Sequence, residues 1–241
     1  MMISSSTSRD NVELNAFWTE MNARVAKYDL LCHPYYKAWS AGELTKTDLR
    51  EYAAGYYHHV AAFPTYLAAF YARLEDGSFR RAVLANLADE EGIEGGRPHS
   101  ELWLDFAEGM GADCDAARNS ARRMAIDALI AHFRETAQQG TPEAALAAFY
   151  AYESQVPRVA KEKAIGLRER YSADAKTCAY FTLHTTADVY HSNVWREQLS
   201  QRIADNPQAA EEALHSAEAA AKALWNALDG IEAERQERLA A

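Results

Sequence analysis

Between one glycine or proline and the next, apolar residues in this chain recur at three- and four-residue intervals rather than in alternation. That spacing lines one face of an α-helix, whereas a half-buried strand needs a period of two. Ala, Leu, Glu and Arg dominate, residues that lose little side-chain entropy in a helix. With only 11 Gly and 6 Pro in 241 residues, a turn-rich all-β fold and disorder are both disfavoured. The chain reads as all-α: one helical domain over residues 1–241, with the Ser/Thr-rich stretch Met1–Asp10 as a flexible amino-terminal tail.

The charge narrows the partners. Thirty-five acidic against 25 basic side chains give a formal charge of -10, which argues against nucleic acid and anionic membrane. Cys32, Cys114 and Cys178 stand far apart, too few and too scattered for a disulfide framework or a thiolate zinc site, and a cytoplasmic setting is expected. No apolar run approaches the ~20 residues of a spanning helix.

Punctuation sets the expected helices. The first runs from about Asn11 to Asp29. A Cys-His-Pro break opens a short helix that stops at Gly42, and Thr47 with Asp48 marks the start of the next, which Pro64 kinks without ending. Ser78 opens another, interrupted by Gly92, Gly95, Gly96 and Pro98. Continuous helices are expected over 115–134, 141–170 and 172–199. After Pro207 comes a long Ala- and Glu-rich helix, 209–238, whose charges read as a solvated face and whose length suits a homodimer.

The strongest chemical signal is His184, Asp188 and His191 in a segment that reads as helix. At about 100° per residue they lie at roughly 0°, 40° and -20°, one narrow stripe that Tyr180 shares. Two imidazoles and a carboxylate on one face are donors that iron, manganese or zinc accept. Glu153, in Phe-Tyr-Ala-Tyr-Glu, is a carboxylate in apolar surroundings that needs a partner or a proton. Glu90 and His99 join the set if the glycine-proline break lets them converge, with Glu91 and Glu94 as alternatives to Glu90. Three carboxylates and three histidines on separate helices suit two first-row metal ions with positions open to dioxygen.

At these residues the chain resembles the heme-oxygenase-like diiron oxidases, and within them the branch that includes the Chlamydia protein associating with death domains, related to the TenA and PqqC groups. The most specific stretches are Asp89-Glu-Glu with His99-Ser-Glu-Leu-Trp, then Tyr152-Glu-Ser-Gln-Val-Pro with Lys161-Glu-Lys163, then His184-x3-Asp188-x2-His191. The resemblance implies a bundle of about seven helices and a centre of two iron ions, or iron with manganese, held by Glu90, His99, Glu153, His184, Asp188 and His191. It further implies 4-aminobenzoate synthesis for folate, using dioxygen and an external reductant. The carbon source would be the protein's own Tyr36, with Tyr35 as the adjacent alternative, and the nitrogen would come from Lys163. Tyr152 and Tyr180 match site tyrosines.

Two features depart from that pattern: the glycine-rich connection before His99 is longer, and Lys163 stands ten residues past Glu153, about 15 Å along an unbroken helix. An oxygenase acting on an external small molecule, a PqqC- or TenA-like enzyme, and a helical interaction protein are the alternative readings.

Overall fold

A computed structural model describes residues 6–93 and 95–240, and among them the regular elements are helices without strands. The α-helices in chain order are α1 (Ser6–Ala26), α2 (Pro34–Ala41), α3 (Lys46–Tyr71), α4 (Ser78–Glu90), α5 (His99–Gly109), α6 (Cys114–Asn119), α7 (Met124–Gln139), α8 (Pro142–Glu153), α9 (Val156–Tyr171), α10 (Ala179–His184), α11 (Ala187–Asp205) and α12 (Ala210–Ala240). The resemblance implied about seven helices; the described residues form these twelve segments, several of them short, and three stretches expected to run unbroken are interrupted. The first stretch divides into α6 and α7, the second at Ser154–Gln155 between α8 and α9, and the third at Thr185–Thr186 between α10 and α11. The first helix begins at Ser6, within the stretch read as a tail, and residues 1–5 lie outside the described residues.

Helix α8 is the centre of the bundle: every residue from Glu143 to Glu153 is buried. A helix apolar on all sides belongs inside. Its alanines pack against the buried stripe of α12, Ala213, Leu214, Ala217, Ala220, Ala221, Leu224, Ala227, Leu228 and Ile231, so two backbones approach with little side chain between them. Thr141 caps α8 by accepting from the Ala144 N–H at 3.2 Å, and Pro142 occupies the first turn, where its missing N–H costs nothing.

Helix α3 spans the bundle with a capping box whose cap, Thr45, lies two residues before the expected Thr47. Thr45 accepts from the Asp48 N–H at 3.1 Å while Asp48 accepts from the Thr45 N–H at 2.9 Å. Pro64 lies inside α3 without ending it. Tyr52, Tyr56, His59, Val60 and Phe63 recur along one side and are buried. Helix α2, started by the His33 cap with Pro34 and closed by Gly42 at φ 74°, carries Tyr35 and Tyr36 inward.

Candidate metal centre

The helix breaks position the polar cluster. Glu90 is the last residue of α4 and His99 the first of α5; Glu153 ends α8; His184 ends α10, and Asp188 and His191 stand at the start of α11. Gly92 (φ 66°) and Gly95 (φ 88°) turn the chain between Glu90 and His99. At Gly92 a Cβ would lie 2.5 Å from the backbone of Arg97, so the turn depends on glycine there.

Ligand-capable atoms of Glu90, His99 and His184 lie within 4.8 Å of one another, and so do those of Glu90, Asp188 and His191. All five residues are buried. Glu90 is thus shared by two groups of three, while Glu91 is exposed and Glu94 lies outside the described residues. The stripe His184, Asp188, His191 converges, though not as a continuous helix: Thr185 and Thr186 interrupt it. Glu153 belongs to neither group. It lines the same small cavity as Glu90, His184 and Asp188, accepting from Asn86 Nδ2 at 3.1 Å and from Trp195 Nε1.

His99 Nδ1 stands 2.9 Å from Glu90 Oε2, and His191 Nδ1 stands 3.4 Å from Asp188 Oδ1. Neighbouring donors on one ion with bonds of about 2.1 Å are separated by about 3 Å, so these spacings fit a first-row metal. His99 Nδ1 has no well-directed hydrogen bond although it is buried, as an atom meant for a metal would be. His184 Nδ1–H donates to the Tyr180 carbonyl at 2.7 Å, which orients the ring and leaves Nε2 free to coordinate. Behind His191, Nε2 faces Asp89 Oδ2 at 3.1 Å.

The electrostatics also fit a cation. Burial and the Glu90 charge push the Asp188 carboxyl well above its ordinary range. Burial raises Glu153 to about 8; the charge of His191 opposes this while those of Asp188 and Glu90 add to it. Burial would raise Glu90 too, but His99, whose Nδ1 is 2.9 Å away, outweighs it and leaves Glu90 lowered. Burial, reinforced by the His99 charge, takes His184 down to about 4, so its imidazole is neutral. A neutral His184 imidazole beside Asp188 and Glu153 carboxyls that resist ionising unaided suits a divalent metal, whose charge would offset theirs.

A second cavity adjoins the first, and Tyr152 and Tyr180 line both. Tyr180 stacks on His184 with ring centroids 4.0 Å apart. On the far side Lys163, only 6% exposed, donates through Nζ to the hydroxyls of Tyr36 at 2.7 Å and Tyr52 at 2.6 Å, and those two hydroxyls are 3.0 Å apart. Its nitrogen lies 4.1 Å from the Tyr36 ring centroid. Burial holds the Lys163 ammonium well below its usual range, and it pushes the Tyr36 and Tyr52 phenols up. The break at Ser154–Gln155 redirects the chain, so the straight-helix distance from Glu153 to Lys163 does not apply.

Tyr35 turns away and donates to the Asp48 carbonyl at 3.0 Å; the structure offers Tyr52 as the second tyrosine on the amine instead. Sequence reasoning missed Tyr52, Asn86, Trp195 and Asp89. Asn86 stands one turn before Glu90 and Trp195 one turn after His191, so helical spacing from residues already singled out was the available signal for those two; Asp89 adjoins Glu90 in sequence, and Tyr52 had no such signal.

An all-α bundle with carboxylates and imidazoles gathered where its helices break defines a heme oxygenase-like metal enzyme. The chain belongs to the family of iron-containing redox enzymes, whose signature matches residues 50–225. It is 38% identical over 229 residues to the 4-aminobenzoate synthase of Nitrosomonas europaea, covering 90% of this chain and 91% of that one. To the 4-aminobenzoate synthase of Chlamydia pneumoniae it is 36% identical over 216 residues, covering 89% and 94%. The fold matches a heme oxygenase-like domain from Shewanella denitrificans with a TM-score of 0.78 at 19% identity, over 91% of this chain and 93% of that one. Family membership sets the helical interaction protein aside.

Proposed function

We propose that this chain makes 4-aminobenzoate from its own Tyr36, taking nitrogen from Lys163, at a centre of two iron ions or of iron with manganese. Glu90, His99, Glu153, His184, Asp188 and His191 would hold the ions. When bound, the metals supply the redox couples that reduce dioxygen with electrons from an external reductant. The observation that carries this reading is the 2.7 Å contact between Lys163 Nζ and the Tyr36 hydroxyl in a small, largely aromatic pocket bordering the cluster.

The residues divide the task. Burial disfavours the charged form of Lys163, which favours the lone pair that bond formation at the ring requires. Its two phenol partners fix the amine beside the ring carbon that bears the Tyr36 oxygen, the position at which 4-aminobenzoate carries nitrogen. From Cβ outward, a tyrosine side chain has the same carbon count as 4-aminobenzoate, with Cβ in the place of the carboxyl carbon. Tyr152 and Tyr180 stand between that pocket and the cluster, where they can pass electrons and exclude water. Tyr56, Trp103 and Phe181 with Leu30 and three small side chains of α9 complete the pocket, which has only about 30 Å³ of free space. A benzene-sized guest needs roughly 150 Å³. This favours an aromatic reactant already built into the wall over an external one.

The test is a single turnover without added substrate. Protein loaded anaerobically with iron and manganese, then given reductant and oxygen, should release 4-aminobenzoate; Tyr36→Phe and Lys163→Met should release none while keeping their metal. No release from the parent removes self-consumption, and undiminished release from Tyr36→Phe removes the assignment to Tyr36.

A further inference from the structure

The cluster is buried, so divalent ions need a way in. The pocket beside Lys163 is unsuited to that passage: its free space is about 30 Å³ and its walls are mostly aromatic and aliphatic. A hydrated cation entering there would shed its water against side chains that replace none of it, a large penalty for an ion. The cavity bordered by Glu90, Glu153 and Asp188 is smaller still, about 10 Å³.

On the opposite side of His191 a groove of about 530 Å³ meets the surface, lined by Ala85, Ala88 and Asp89 of α4, Gly92 and Gly96 of the following loop, and Tyr190 and His191 of α11. The small residues leave the space open. His191 is the one cluster residue that lines this groove. Asp89 stands over it, its side chain 51% exposed and its Oδ2 3.1 Å from His191 Nε2. Among the described residues Asp89 has no Lys or Arg partner, so its charge is free to meet a cation. A carboxylate in water beside an imidazole that is itself in the cluster can replace lost hydration in steps, first at Asp89 and then at His191.

We propose that this groove is the loading route for the divalent ions, with Asp89 as the capturing carboxylate and His191 as the residue that passes each ion inward to Asp188 and Glu90. The inference rests on the reading of the cluster as a metal centre. It concerns how the ions arrive, not which residues finally hold them.

The experiment follows cobalt(II) uptake by metal-free, full-length protein, mixed anaerobically in a stopped-flow instrument and read by visible absorption of the bound ion. Asp89→Asn removes the capturing charge. Ala85→Trp, at an exposed helix position, fills the groove without altering charge. Asp89→Asn should slow uptake by about tenfold, the lower end of electrostatic steering, and Ala85→Trp should slow it by obstruction, while the final cobalt stoichiometry and spectrum match the parent. Added salt should slow the parent more than Asp89→Asn. Uptake at the parent's rate in both variants overturns the route. So does an Asp89→Asn protein that loads normally but releases cobalt faster, since Asp89 would then only orient His191. A parent that binds no cobalt overturns the metal centre itself, and the route with it, which is a different result from normal loading of the variants.

Discussion

Glu153→Gln tests the electrostatics of the cluster through stability. In the metal-free protein Glu153 titrates at about 8 against an ordinary value of 4.5, burial being the largest cause. Between those values the folded protein keeps a proton that the unfolded chain has released, so stability falls as pH rises, by about 1.4 kcal/mol per unit. Across that window the loss amounts to about 4 to 5 kcal/mol, and most of it falls between pH 5 and pH 8. Glutamine carries no such proton. It also presents an amide where Glu153 accepted from both Asn86 and Trp195, so one donor goes unpaired at a cost of about 1 to 3 kcal/mol. The variant should therefore be the less stable protein near pH 5 and gain on the parent by roughly 3 to 4 kcal/mol by pH 8. Urea unfolding of chelator-treated parent and variant at half-unit pH steps measures this directly. Curves that stay parallel, their difference constant to within about 0.5 kcal/mol, would refute the buried, proton-holding Glu153.

Lys163→Met should abolish product while leaving metal stoichiometry unchanged. Because the folded pKa of Lys163 is depressed, the unfolded chain binds the extra proton, and the metal-free parent should gain stability as pH rises towards about 10.4; in the variant that gain should vanish from urea unfolding curves. Gly166→Ala would place a Cβ 2.9 Å from Trp39 Cδ1 and 3.0 Å from its Nε1, against a ring with no room to move. It should cost about 1 to 3 kcal/mol, read as a lower urea midpoint with an unchanged slope.

The helical class and the cluster at Glu90, His99, His184, Asp188 and His191 were legible because the signals are local. Glycines and Pro98 mark the turn that brings Glu90 back to His99, and helical spacing groups His184 with Asp188 and His191. The break between His184 and Asp188 was not legible, since Thr185 and Thr186 carry no strong stop signal. Pro157 falls inside the stretch expected as one helix over 141–170, yet a proline in the first turn marks a helix start, here that of α9. Lys163 stands in a charged Lys-Glu-Lys run, yet it keeps the inward register of Val159, Ala160, Ala164 and Leu167. That register was readable; what it faced was not. Tyr52 reaches Lys163 across 111 residues of chain, and no local pattern encodes such a meeting.

The central claim, that Tyr36 and Lys163 are reactants, is tested most directly by isotope. Protein grown with ring-¹³C tyrosine and side-chain-¹⁵N lysine, loaded with metal and turned over once in unlabelled buffer with reductant and oxygen, should release 4-aminobenzoate carrying both labels. A peptide digest of the same sample should then show residue 36 stripped of its side chain. Unlabelled product, or labelled product with Tyr36 intact, would contradict the account.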